Sequence, residues 1–352
     1  MTENDAAEAA AAAHDEFSYL PGQAAGLGVR VPTARRLHLV LPDGRALSAL
    51  RFGEDTPRVV LLHGAGLNAH TWDTTALALG APALVLDLPG HGDSSWRDDA
   101  DYRPRTLAPD AIRAIEEWAG APVVLVGHSL GGLTAAAIAA ARPELVAALL
   151  LVDITPGAAG GAGSAQLRRF YEQTVFDSRE AVVGRAMAFG LGGSLEDTRR
   201  GVFHNTRVRH DGPDGRTTVE WKHHFARLAQ QALAAPAPGA ASAPLVDGSG
   251  WDDLAAITAP VVLVRGTRGF VDDAAAADFA RRLPSATIET LDAPHNVQEV
   301  APAALGALIA AHLGDAGGAE HTPSATRSHR LPPPDAAVAP EGAADDPTAD
   351  TP

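Results

Sequence analysis

The sequence predicts an α/β protein: a mostly parallel sheet of about eight strands flanked by helices, with an inserted cap. Three observations predict it. The runs 59–62, 83–86, 123–126 and 148–152 are apolar without polar alternation, the pattern of strands buried on both faces of a parallel sheet. Helical stretches near 70–79, 106–118 and 133–141 separate these runs, so strand and helix alternate. The rhythm breaks after Asp153 and resumes at Val261, so one sheet is left and then re-entered.

The elements follow in order. Segments 36–41 and 45–52 flank Pro42-Asp43-Gly44 and read as an antiparallel hairpin. The helix near 133–141 stops at Arg142-Pro143, because the residue before a proline is pushed out of helical conformation. Beyond Asp153 comes a glycine and alanine loop, 156–163, then helical spacing over 165–189. A second hairpin, 204–225, turns at Asp211-Gly212-Pro213-Asp214-Gly215. A Pro/Ala/Gly/Ser-rich connector, 232–250, leads back to strand 261–265, helix 272–283, strand 287–291 and helix 302–313. The expected division is a core over 31–155 and 251–314, a cap over 156–250, and tails over 1–30 and 315–352.

Composition excludes several chemistries. The 352 residues include no cysteine, so there is no disulfide, thiol nucleophile or cysteine-ligated metal. The net charge of -15 opposes nucleic-acid binding, and Lys222 is the only lysine. Residues 1–16 carry five acids and no Lys or Arg, and residues 315–352 carry seven acids against two arginines. Poor in apolar residues, both ends read as solvated tails. Neither a leader nor a stretch of apolar residues long enough to span a bilayer is visible, so a cytoplasmic protein without membrane contact is the expectation. His223 and His224 are adjacent and point to different sides, the other histidines are scattered, and neither a metal set nor a cofactor is expected.

The strongest chemical signal is Gly127-His128-Ser129-Leu130-Gly131-Gly132 directly after one buried strand and directly before a helix. A bare G-x-S-x-G is weak, but that context is the one a nucleophile elbow requires, with Ser129 thrust out at the carboxyl edge of the sheet. Leu62-His63-Gly64-Ala65-Gly66 ends an earlier strand and supplies the other side of an oxyanion hole, formed by the backbone N–H groups of Ala65 and Leu130. His63 precedes that turn and reads as a structural hydrogen-bonding residue.

Asp87-Leu88-Pro89-Gly90-His91-Gly92-Asp93-Ser94 forms a third loop. The HG loop, this D-x-P-G-H-G-x-S loop, G-H-S-L-G-G and a late histidine stand in the order of the α/β-hydrolase superfamily, which the chain resembles over about residues 36–313. The resemblance implies that Asp87 organises its loop and that His91 is not catalytic. His295, in the loop after strand 287–291, resembles the family's histidine loop and would serve as general base.

The acid departs from the commoner family pattern. The loop Gly266-Thr267-Arg268-Gly269-Phe270-Val271 contains no carboxylate, and Asp272 with Asp273 sits where a helix N-terminus would be capped. Asp153 closes the strand after the nucleophile helix, 24 residues past Ser129, a second location known in the family and similar to that of a branch of bacterial and mitochondrial esterases. We favour Asp153 over Asp272. Phe170, Tyr171, Phe176, Met187, Phe189 and Trp221 give the cap an apolar stock that would either hold an acyl chain or form the cap's own small core. The expected activity is hydrolysis of a small carboxylic ester or thioester through an acyl-enzyme. A carbon–carbon bond hydrolase, a cofactor-free perhydrolase and a non-catalytic ligand-binding member of the fold remain alternatives. The expected partner is a small ester-like molecule, and the sequence sets no oligomeric state.

Overall fold

The computed structural model describes residues 15–157, 169–191, 193–210, 216–234 and 250–315. Strands β1 (Ala34–Val40), β2 (Ala46–Phe52), β3 (Val59–Leu62), β4 (Ala83–Asp87), β5 (Val123–His128), β6 (Val146–Val152), β10 (Val261–Arg268) and β11 (Thr287–Pro294) form one eight-stranded sheet in the order β1-β2-β4-β3-β5-β6-β10-β11. The hairpin β1/β2 and the pair β2/β4 are antiparallel, and every later pair is parallel.

Both faces are covered, which is why β3, β4 and β5 read as unbroken apolar runs. Alternate residues enter different cores: Leu125, Leu149, Leu151 and Leu263 pack on one side, and Val124, Val126, Leu150 and Val264 on the other. Helices α3 (Pro104–Trp118) and α4 (Leu130–Ala141) bury residues in the first core, and α1 (Leu20–Leu27), α2 (Asp73–Leu79) and α11 (Pro302–Asp315) in the second. Buried nearly all round, α4 is rich in Ala and Gly, which lets it lie tightly beneath the sheet.

Two expectations need correction. The N-terminal tail expected over 1–30 is ordered from residue 15: Leu20 and Ala24 of α1 are buried, and the Glu16 carboxylate accepts from Arg36 Nε at 2.8 Å. Residues 1–14 and 316–352 lie outside the described residues. The continuous helical spacing over 165–189 is also wrong where it is described. There the chain forms β7 (Val175–Phe176) and only then α5 (Arg179–Ala188), because β7 pairs with β9 (Thr218–Trp221). Strand β9 also pairs with β8 (Thr206–Arg209), so the second hairpin forms, its turn at 211–215 lying outside the described residues. Helix α6 (Leu195–Asn205) completes this inserted part, followed by α7 (His224–Ala234) and α8 (Gly250–Ala256) before the sheet resumes. Helix α9 (Asp273–Arg282) connects β10 to β11, and the short α10 (Val297–Val300) precedes α11.

The insertion rests on the Asp87–Ser94 loop. His224 N donates to Gly90 O at 2.8 Å, Trp96 Nε1 to Lys222 O at 2.9 Å, and Lys222 Nζ lies 3.0 Å from Asp93.

A buried charge cluster ties α1 to this foundation. Burial alone would raise the Glu16 carboxyl and lower the His70 imidazole, yet His70 and Arg36 outweigh it at Glu16, and Asp73 and Glu16 outweigh both burial and the nearby Arg36 charge at His70. Glu16 is held down to about 2 and His70 is raised to about 9. A histidine whose folded pKa is raised contributes stability that is full below its unfolded value of about 6.5 and is lost as the pH climbs through the folded value. We expect the melting temperature to drop by several degrees between pH 6.5 and 9.5, and the drop to flatten in His70→Phe. Equal slopes in the two proteins would show that His70 is not the group responsible.

Candidate active site

Ser129 lies at the turn between β5 and α4 with φ 52° and ψ -119°, a conformation costly for any side chain. The turn is fixed from both sides: Ser129 N donates to Val152 O at 3.1 Å, and Ser129 O accepts from Gly132 N at 2.9 Å. Gly131 has no alternative, since a Cβ there would strike the backbone of Leu62 and His63. The serine is left half-buried, on an element whose neighbours are all packed.

Asp153 directly follows β6, fully buried and also at positive φ, 50°. Its carboxylate accepts from Phe270 N at 2.6 Å, Gly266 N at 3.1 Å and Val271 N at 3.4 Å, and at 2.7 Å it meets His295 Nδ1. The carboxylate-free loop thus supplies the N–H groups that hold an acid from another strand. Gly269 is part of that fit, because a Cβ there would collide with the Asp153 carboxylate. Asp272 is elsewhere: it caps α9, accepting from Ala275 N at 2.8 Å.

His295 is held by two side chains that spacing did not single out. The Phe270 ring stacks on its imidazole at 3.6 Å and 12°. From the residue before the serine, His128 Nε2 donates to His295 O at 3.0 Å. Burial, reinforced by the adjacent His295, keeps His128 far below the usual histidine range, so it acts as a neutral donor. His128 was legible in G-H-S, but nothing in the sequence joins it to a carbonyl 167 positions away.

The remaining motif residues separate by role. His63 Nε2 accepts from Leu88 N at 3.0 Å, and its Nδ1 donates to Gly64 O at 2.8 Å, so it locks the HG loop to the Asp87 loop. Asp87 accepts from Ala69 N at 2.8 Å, Arg36 Nη1 at 2.7 Å and Asp93 N at 3.1 Å. His91 is buried with its Nδ1 on Pro89 O and faces the insertion through His223 rather than Ser129. Ala65 is half-buried on the HG loop, and Leu130, first in α4, has an N–H without a helical acceptor.

A cavity of about 570 Å³ opens beside this group, bordered by Ala65, Gly66, Phe270 and His295. Phe170, Tyr171 and Trp221 line it and also belong to the insertion's own core, while Phe176 serves only that core and Met187 is exposed. Among the described residues, His70, Asp73 and His204 come close enough to share a metal ion. Their arrangement opposes it: the two rings are stacked 3.8 Å apart at 18°, and no ion can lie in both ring planes as ligation by imidazole requires. No helix among the described residues is long and apolar enough to cross a membrane.

Comparison with known proteins agrees with this architecture. The sequence model of the Alpha/beta hydrolase family matches residues 59–308. Esterase Rv0045c of Mycobacterium tuberculosis is 38% identical over 280 residues, 76% of this chain and 85% of that protein. The structure of that esterase from a study of transition metal inhibition superposes with a TM-score of 0.70 at 35% identity, covering 85% of this chain and 99% of the other. A thioesterase domain from the curacin biosynthetic pathway shares the fold, with a TM-score of 0.62 at 24% identity, over 79% of this chain and 99% of that domain.

Proposed function

The chain belongs to the alpha/beta hydrolase family and is a hydrolase, and from that premise we propose that it cleaves a carboxylic ester through an acyl-enzyme on Ser129. One observation carries the reading: a buried carboxylate 2.7 Å from the imidazole of His295, in a molecule whose elbow serine is held in a strained, partly exposed turn. Kinship with a protein named an esterase, over most of its length, favours this over a silent binding role.

Ser129 Oγ attacks the ester carbonyl while His295 Nε2 takes its proton. His295 Nδ1–H donates to Asp153, which fixes the tautomer and stabilises the imidazolium without itself taking the proton. The Ala65 and Leu130 N–H groups receive the negative charge that develops on the carbonyl oxygen. Collapse breaks the ester C–O bond, the alcohol leaves with the proton from His295, and Ser129 is acylated. Water, deprotonated by His295, then attacks the acyl carbon, and the acid departs as Ser129 recovers its proton. Phe270 and His128 hold the imidazole in register throughout.

The cavity limits the acyl group. On a p-nitrophenyl ester series, we expect kcat/KM to peak at acyl chains of about four to eight carbons and to fall for longer ones. Absence of turnover at every length would reject the proposal.

A further inference from the structure

In the proposed route His295 becomes an imidazolium in each half of the reaction, first when it takes the Ser129 proton and again when it takes a proton from water. Its surroundings decide how easily. Asp153 bonds it at 2.7 Å, but shares its negative charge with the N–H groups of Phe270, Gly266 and Val271 as well. His128, its ring centroid 4.5 Å from that of His295, is kept neutral by burial and brings no charge. Among the described residues, the other ring against His295 is that of Phe270.

The geometry of this contact discriminates between the two forms of the imidazole. Neutral aromatic rings prefer to meet edge to face or offset, with centroids about 4.5–7 Å apart, because two π clouds placed squarely face to face repel. Phe270 and His295 lie 3.6 Å apart at 12°, which leaves little room for offset. A cation above a phenyl ring has the opposite preference, since the negative face of the ring attracts it. The stack therefore suits the charged form of His295 better than the neutral one. Phe270 is also fixed in place, because its N–H donates to the Asp153 carboxylate at 2.6 Å. One residue thus bonds the acid through its backbone and faces the base with its ring. That ring is 45% exposed at the border of the cavity, where an entering substrate can cover it, and loss of water strengthens such a contact.

We propose that Phe270 is a positioning residue whose ring face stabilises the imidazolium of His295, and so favours the transition states of both half-reactions over the resting enzyme. This deepens the ester-hydrolase reading and rests on it. Because the ring acts only when charge appears on His295, weakening it should lower kcat and leave KM nearly unchanged.

The test replaces Phe270 by phenylalanines carrying one, two and three ring fluorines, which keep the shape and the backbone N–H but drain the negative face step by step. With p-nitrophenyl butyrate as substrate, kcat should fall with each fluorine, by about tenfold across the series, at a constant KM. Phe270→Leu, which keeps apolar bulk without a ring face, should fall at least as far, and Phe270→Tyr, which keeps the face, should stay within about twofold of the wild type. Circular dichroism checks that each variant is folded. A kcat that stays flat through the fluorine series, or a change carried by KM, would overturn the inference while leaving the esterase intact. A wild type that does not turn over the ester would count against the esterase reading itself.

Discussion

Replacing Ser129 by alanine should lower kcat for ester hydrolysis by about 10⁶ and leave a folded protein. The hydroxyl is the nucleophile of the proposed route, and the remaining groups can only activate water weakly from a site shaped for a serine. The fold should tolerate the change because the turn is built by backbone bonds to Val152 and Gly132, which alanine keeps. A second comparison exposes the strain. At φ 52° an alanine pays the same penalty as the serine, whereas Ser129→Gly relieves it and should be more stable than Ser129→Ala by about 1 kcal/mol. Chemical denaturation of both inactive variants measures this directly, and equal midpoints would show that the turn stores no strain.

Asp153→Asn should cost about 10³–10⁴ in kcat, with Asp272→Asn staying within a few-fold of the wild type. The difference comes from what surrounds each carboxylate. Each donor found around Asp153 is an N–H: those of Gly266, Phe270 and Val271, and that of His295 Nδ1. An amide nitrogen therefore finds an acceptor only where His295 gives up its Nδ1 proton, so the wrong imidazole tautomer is favoured. Stability should suffer as well, by about 1–3 kcal/mol, so folding is checked by circular dichroism before rates are compared. Asp272 bonds one helical N–H, a duty asparagine performs nearly as well. The reverse ranking of the two variants would move the acid to Asp272.

How far the sequence reaches is clearest at this pair. The family resemblance points to Asp153, at the end of an apolar strand 24 residues past Ser129, because the strand order and loop placement that carry the resemblance are legible locally. The cradle that holds it comes from residues more than a hundred positions later and has no local mark. Phe270 looks like one more loop residue until it is seen stacked on His295. The same division runs through the fold. The buried strands are legible from their unbroken apolar runs, since burial on both faces leaves that imprint on composition. Helix α1 is not, because its Ala- and Gly-rich sequence resembles a tail, and its order comes from Leu20 and Ala24 packing with Glu16 bound to Arg36. Helix α6 did leave a local signal that periodicity hides: Ser194 and Asp197 form a reciprocal capping box. The short β7 left none, since two residues become a strand only when β9 lies beside them.

The central claim is that Ser129 is the residue acylated during turnover. Treating the active protein with a fluorophosphonate and mapping the adduct by peptide mass spectrometry tests it most directly. The account predicts one equivalent of label, on Ser129, with esterase activity lost in proportion, and no label in Ser129→Ala. Full inactivation with the adduct on another residue, or undiminished turnover by protein fully labelled at Ser129, would contradict it.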